Sequence, residues 1–169
     1  MDTFFEQIVS IKKSGKKIAL LIVIWILALL LCGIVFLMSG ILGSLMFLLI
    51  AGILYGAYKL SGMLNVEYEY IITNGTLDVD KIVNKQSRQR ILSFDIPKVT
   101  RMEKYNDGLI VNINPKDIVM ACNTTDENVY LLAYEKNGKQ MNLVFSPDEK
   151  MQKVIAKYLP KFISNSLFK

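Results

Sequence analysis

The chain contains no histidine, only two cysteines, and no Asp, Glu, Lys or Arg anywhere between Ile18 and Tyr58. The first absence removes histidine-based acid–base and triad chemistry. Together with the scarcity of cysteine it leaves no ligand set for zinc or another soft metal. A disulfide is not expected, because Cys32 falls in the apolar stretch and Cys122 in the polar remainder. No Gly-rich phosphate loop and no nucleophile motif appears, so neither a cofactor nor a metal is expected. The missing charge between Ile18 and Tyr58 carries furthest. As one helix this stretch would run about 60 Å, twice a hydrocarbon core of about 30 Å. Two spans joined by a tight reversal fit the bilayer; one does not.

Ser39, Gly40, Gly43 and Ser44 place the reversal near Met38–Ser44, with spans at about 18–38 and 42–60. A signal peptide is excluded by length, since its apolar core is short. Leu29-Leu30-Leu31-Cys32 resembles a lipoprotein cleavage box, but Leu31 is not small, and Cys32 reads as an apolar membrane cysteine. The net charge is +5, and Lys12, Lys13, Lys16, Lys17 and Lys59 supply its excess at the span borders. A nucleic-acid binder would carry its basic excess on the soluble part. Here the excess suits anionic headgroups, and the positive-inside rule puts both termini of a multi-pass protein in the cytoplasm. The spans hold no ionisable group, so they read as an anchor rather than an ion pathway. Gly52 and Gly56 lie one turn apart on the second span. They pack against the first span of the same chain or, in a second reading, bring two protomers together.

Residues 1–17 read as a cytoplasmic amphipathic, basic segment. Thr3-Phe4-Phe5-Glu6 has capping-box spacing, and Phe4, Phe5, Ile8 and Val9 follow at near-helical intervals. A short helix is expected, lying on the inner leaflet or docked on the soluble domain, with Lys12, Lys13, Lys16 and Lys17 in contact with headgroups. Residues 18–60 form the transmembrane hairpin and residues 61–169 a cytoplasmic domain.

The soluble domain is β-rich. VEYEYIIT (66–73) alternates, with Tyr68, Tyr70 and Ile72 opposite Glu67 and Glu69. Asn74-Gly75 is a strong two-residue hairpin signal, and TLDVDKIV (76–83) alternates again. RQRILSF (88–94), VTRMEKY (99–105), DIVMACN (117–123), NVYLLAYEK (128–136) and KQMNLVFS (139–146) follow. LIVNIN (109–114) is either a short strand or loop, and Asn137-Gly138 marks a second hairpin. NVYLLAYEK is apolar on both faces and reads as a central strand. Ser146-Pro147-Asp148-Glu149 offers Ser146 as N-cap to a helix with Met151, Val154, Ile155, Tyr158 and Leu159 on one face, ending near Pro160. Phe162 and Phe168 are candidate contacts of the tail.

About seven strands followed by one amphipathic helix resembles the pleckstrin-homology (PH) plan. Residues 70–99, YIITNGTLDVDKIVNKQSRQRILSFDIPKV, resemble the opening of bacterial PH-like domains: a Tyr-x-Ile-Thr-Asn strand end, a Leu, basic residues and Ile-Pro-x-Val. The layout is similar to a family of short two-span bacterial membrane proteins carrying such a domain. The resemblance implies an α+β membrane protein, with a two-helix transmembrane hairpin before a seven-stranded antiparallel PH-like sandwich or barrel capped by a C-terminal helix. Its motifs encode a hairpin and a strand rather than chemistry, so they inform fold more than function.

The candidate sites are few. Lys81, Lys85, Arg88 and Arg90 form a basic group around the turn after the second predicted strand, either a second contact for anionic lipid or a solvated turn. Asn74-Gly75 is too short a loop for an inositol-phosphate pocket of the eukaryotic PH type. Asp78, Asp80 and Asp95 could converge as a hydrolase or hard-metal site, but cross-strand pairing of Asp78 and Asp80 with Arg88 and Arg90 is the plainer reading. The expectation is a non-enzymatic scaffold at the bacterial cell membrane, binding a protein partner, its own copies or membrane lipid. The alternatives are an accessory subunit of a transporter or membrane enzyme, with Gly52 and Gly56 as docking face, and a membrane-bound hydrolase.

Overall fold

In the computed structural model, which describes residues 3–12 and 14–167, the first element is a strand and not the expected amphipathic helix. β1 (Phe4–Ser10) pairs antiparallel with β2 (Val66–Thr73), from Phe4 opposite Thr73 to Ser10 opposite Glu67. Alternation decides it: Phe5, Gln7 and Val9 are half-buried while Phe4, Glu6, Ile8 and Ser10 are exposed. Phe5 and Val9 pack on the core. A lone helix this short is marginal in water, whereas pairing with β2 satisfies one side of the backbone. Thr3 caps no helix; its N–H donates to Asn74 Oδ1 at 2.9 Å and its carbonyl accepts from the Asn74 N–H at 3.0 Å. Gln7 anchors the strand further, its Nε2 donating to the Ser146 carbonyl at 3.0 Å and its Oε1 accepting from the Asp148 N–H at 2.9 Å.

The chain forms two compact units. One joins Met1–Ile11 to Glu67–Ile82 and Arg88–Lys169; the other comprises Lys12–Val66 and Val83–Ser87. The second contains α1 (Gly15–Leu37), the single turn α2 (Ser39–Leu42) and α3 (Leu45–Met63). The break falls in the Ser/Gly cluster, where Gly43 takes φ +53°, a value that favours glycine. Both long helices are apolar enough to cross a membrane, and only 6% and 11% of their most apolar windows is buried.

The first unit holds two four-stranded sheets. One has the order β1-β2-β3-β4, with β3 at Thr76–Val83 and β4 at Ser87–Asp95. The other has the order β5-β7-β8-β6, with β5 at Val99–Lys104, β6 at Ile118–Met120, β7 at Tyr130–Lys136 and β8 at Lys139–Phe145. The seven-stranded, wholly antiparallel expectation is thus corrected to eight strands in two sheets among the described residues. β1 is the added strand. β6 runs parallel to β8, because residues 105–117 cross as 3-10 turns and deliver it to the far edge, leaving 109–114 without a strand. β7 is central as expected, with Tyr130 through Tyr134 all buried.

Tyr70, Ile72, Leu77 and Val79 from the first sheet meet Leu132, Leu143 and Phe145 from the second, each at most marginally exposed. Tyr70 satisfies its buried hydroxyl by donating to the Ala121 carbonyl at 2.7 Å, and its ring meets Phe145 edge-on. α4 (Glu149–Tyr158) and α5 (Lys161–Leu167) add Met151, Ile155, Leu159 and Ile163 to this core. The N-cap of α4 is Asp148 rather than Ser146: its carboxylate accepts from the Met151 N–H at 2.7 Å. Pro147 therefore precedes the cap instead of opening the helix. Phe162 is exposed, Ile163 being the buried tail residue, and Phe168 lies outside the described residues.

The β2–β3 turn places Asn74 at φ +49° and Gly75 at φ +88°. A Cβ on Gly75 would also sit 2.8 Å from Cδ1 of Tyr158. Gly75→Ala should therefore cost about 2–4 kcal/mol, combining left-handed strain with overpacking. Urea unfolding should show that cost reduced, but not abolished, in a Tyr158→Ala background. An equal cost in both backgrounds would refute the clash with Tyr158.

Candidate functional site

The first sheet carries most of the charge that sequence reading singled out. Arg90 on β4 reaches two carboxylates of β3, with Nη1 2.8 Å from Asp78 Oδ2 and Nε 2.9 Å from Asp80 Oδ1. Arg88 does not join them. Its Nη2 lies 2.8 Å from Oε1 of Glu69 on β2. Two of the four residues of the basic group are thus held in ion pairs within the sheet. Lys81 lies on β3, and Lys85 occupies the turn after it with φ +55°. Arg88 and Arg90 are consequently matched to acids rather than presented as an open basic patch.

Glu69 is the residue that sequence reading missed. At its alternating position it looked like an outward-facing surface acid, yet it is fully buried. Arg88 answers one of its oxygens; Oε2 has no hydrogen-bond donor among the described residues. Burial, followed by the neighbouring Glu6 carboxyl, raises its pKa; Arg88 lowers it, and the charge of Asp80 raises it again. Glu6 comes from β1, so this carboxyl pair joins the N-terminal strand to the rest of the sheet.

Asp78, Asp80 and Asp95 do not gather. Asp95 belongs to a different group, its Oδ1 accepting from Thr76 Oγ1 at 3.1 Å and its Oδ2 pairing with Lys98 at 2.9 Å. Those partners hold its pKa below the ordinary carboxylate range. Among the described residues no three His, Cys, Asp or Glu side chains are placed to hold a metal ion. Asp95 and Lys98, with Thr76, Tyr134 and Lys136, instead line a polar cleft of about 300 Å³ beside the β7–β8 turn. The Cys122 thiol is buried and pushed up to about 12, chiefly by desolvation and then by Asp126, which makes it a poor nucleophile.

In the helical unit, Lys16 and Lys17 occupy the first turn of α1 and Lys12 precedes it, while Lys13 lies outside the described residues. No acidic residue accompanies them in that turn. Cations at a helix N-terminus oppose its dipole, so they weaken the helix they introduce. Gly52 and Gly56 behave differently from the packing expected of them. A Cβ at either would meet nothing within 4 Å. They line, with Ile24, Leu27 and Leu31, an apolar groove of about 320 Å³ between α1 and α3. The buried small residues of the helix pair are Ala28 and Ala57.

Comparison with protein families matches residues 1–165 to a family described as bacterial PH-like domain (DUF6106). No curated protein and no solved structure matches the chain.

The Glu6–Glu69 pair gives a pH signature. An acid whose folded pKa is raised loses stability as pH climbs from its ordinary value, near 4.5, through the raised one, because the unfolded chain releases its proton first. Glu6→Gln removes a like charge beside Glu69. Thermal unfolding should show a higher Tm at neutral pH and a shallower fall from pH 4.5 upward. An unchanged pH profile would show that Glu69 ionises without hindrance from Glu6.

Proposed function

The chain belongs to the bacterial PH-like domain family, and on that footing we propose that it is a non-enzymatic, membrane-anchored binding module. In this reading α1 and α3 cross the cytoplasmic membrane as a hairpin. The PH-like domain stands at the inner surface, where it meets a protein partner, its own copies or anionic lipid.

One observation carries the reading. β1 precedes α1, β2 follows α3, and the two strands are hydrogen-bonded neighbours, with Ser10 opposite Glu67. Whatever surface α1 crosses, α3 must recross, or the strands could not meet. An even number of spans, with both ends on one side, follows from the ladder if the helices insert at all. Their exposure supports insertion: side chains such as Leu29, Phe36, Phe47 and Leu48 stand bare, as a core helix of a soluble protein would not leave them. Lys12, Lys13, Lys16 and Lys17 favour the cytoplasmic side. Anionic headgroups would offset their conflict with the helix dipole, at about 1 kcal/mol per basic residue near the surface. Confinement to a thin layer raises the domain's effective concentration toward surface partners without new contacts.

A second reading, an accessory subunit of a transporter or membrane enzyme, is favoured by the open groove at Gly52 and Gly56, whose apolar lining would take side chains from a helix of another protein.

The test is extraction and topology of the full chain in bacterial membranes. The protein should resist alkaline extraction, and a reporter at the carboxyl terminus should be protected in intact cells. Replacing Lys12, Lys13, Lys16 and Lys17 with Gln should raise the misoriented fraction. A water-soluble monomer, or an externally accessible terminus in the native sequence, would overturn the reading.

A further inference from the structure

We propose that β1 is the docking edge for β1 of a second copy of this chain, the two strands pairing antiparallel about a two-fold axis at Gln7. The inference rests on the binding-module reading above and narrows its partner to the chain itself.

The two sheets present four edges: β1, β4, β5 and β6. Exposed edges are ordinarily blunted by charged side chains, Pro, bulges, brevity or a covering helix or loop. β4 carries Arg88 and Arg90, whose side chains stay about half exposed in their ion pairs. β5 carries Arg101 and Lys104 and has a register shift between Val99 and Arg101. β6 is only 3 residues long. On β1 the guards are slight: one charged residue, Glu6, and the contact of Asn123 with Ser10 at one end. The strand runs unbroken for 7 residues in continuous register with β2, without Pro, Lys or Arg.

The free backbone groups can be assigned. Asn74 N–H donates to the Thr3 carbonyl, so Thr3 and Asn74 form a hydrogen-bonded pair. By antiparallel alternation Phe5, Gln7 and Val9 exchange bonds with β2, while Phe4, Glu6, Ile8 and Ser10 turn their N–H and C=O groups outward. The Ser10 carbonyl accepts from Asn123 Nδ2 at 3.3 Å, which closes one end of the edge. The remainder has no backbone hydrogen-bond partner among the described residues.

The side chains favour a copy of the same strand. With the axis at Gln7, Phe5 stands opposite Val9, Phe4 opposite Ser10 and Glu6 opposite Ile8. The only charged residue of β1 then faces an apolar one. Moving the axis to Glu6 sets two like charges face to face, and moving it to Ile8 shortens the overlap. Phe4 and Ile8, exposed at 65% and 54%, become diagonal neighbours across the pair, within reach of an aromatic ring. Antiparallel pairing also carries the basic residues that follow each strand to opposite ends, where parallel pairing would set them side by side.

The test uses the full chain in lipid bilayers at graded protein-to-lipid ratios, with single-molecule counting of copies. The native chain should dimerise. Ile8→Glu, at an exposed position, places two like-charge pairs across the axis and should weaken dimerisation about tenfold. Glu6→Lys combined with Ile8→Glu sets Lys opposite Glu in this register alone and should restore it. Circular dichroism and thermal unfolding check that each variant keeps its fold. A native chain that stays monomeric at every ratio, a dimer insensitive to Ile8→Glu, or a failure of the double variant to recover would each overturn the pairing. Extraction and topology are read separately, so a monomer that still inserts defeats the strand pairing and leaves the anchored module standing.

Discussion

The antiparallel ladder between β1 and β2 is the constraint on which the rest of the molecule depends. It joins a strand made before the apolar helices to one made after them. The helical unit therefore hangs from the connection of a β-hairpin rather than from one end of a completed domain. Gln7 reinforces this arrangement by tying β1 to Ser146 and Asp148, next to the cap that starts α4. A disturbance of the N-terminal strand is felt at the C-terminal helix through two hydrogen bonds.

Charge on the first sheet is distributed to the same end. Glu69, Asp78 and Asp80 outnumber the two arginines that answer them, and Glu6 adds a further acid at the β1 side. Removing one partner of a buried pair leaves its mate without compensation, so such pairs hold strand register more firmly than they raise stability. The sheet is thus acidic where β1 docks. The lysines stand apart, after β1 and at the opening of α1. Acid thus prevails on the sheet and base at the opening of α1.

What could be read from sequence was local. The Asn-Gly turns, the alternation of residues 66–83, the central β7 and the apolar stripe of α4 each depend on neighbours within a few positions, and each lies where it was expected. The pairing of Arg90 with Asp78 and Asp80 was legible because adjacent strands share a hairpin. β1 was not. Its Phe4, Phe5, Ile8 and Val9 satisfy a helical spacing, and Gln7 interrupts the apolar alternation that would mark a strand. Only the distant β2 makes it one. Glu69 failed for a related reason, since the charged groups around it, Glu6, Asp80 and Arg88, come from three different strands. β6 was visible as a strand, but its parallel direction depends on a loop path that carries no pattern. At Gly52 and Gly56 the spacing was real, yet it opens a groove instead of closing a contact.

The distance in sequence between β1 and β2 would ordinarily make their pairing slow and weak. The entropy of closing a flexible loop rises only as the logarithm of its length, so the thermodynamic cost is modest, but the search is long. Here the intervening residues are two packed helices joined by one turn rather than a flexible loop. Once α1 and α3 are side by side, the ends of the connection are already near one another. Most of the closure entropy has then been lost in forming the helix pair. The same geometry explains how a seven-residue edge strand can persist: it is paired with β2 on one side, packs Phe5 and Val9 on the core and is held by the two hydrogen bonds of Gln7. A bulge in such a strand would break the register of the ladder it serves, so its outer side keeps the regular spacing that its inner side requires.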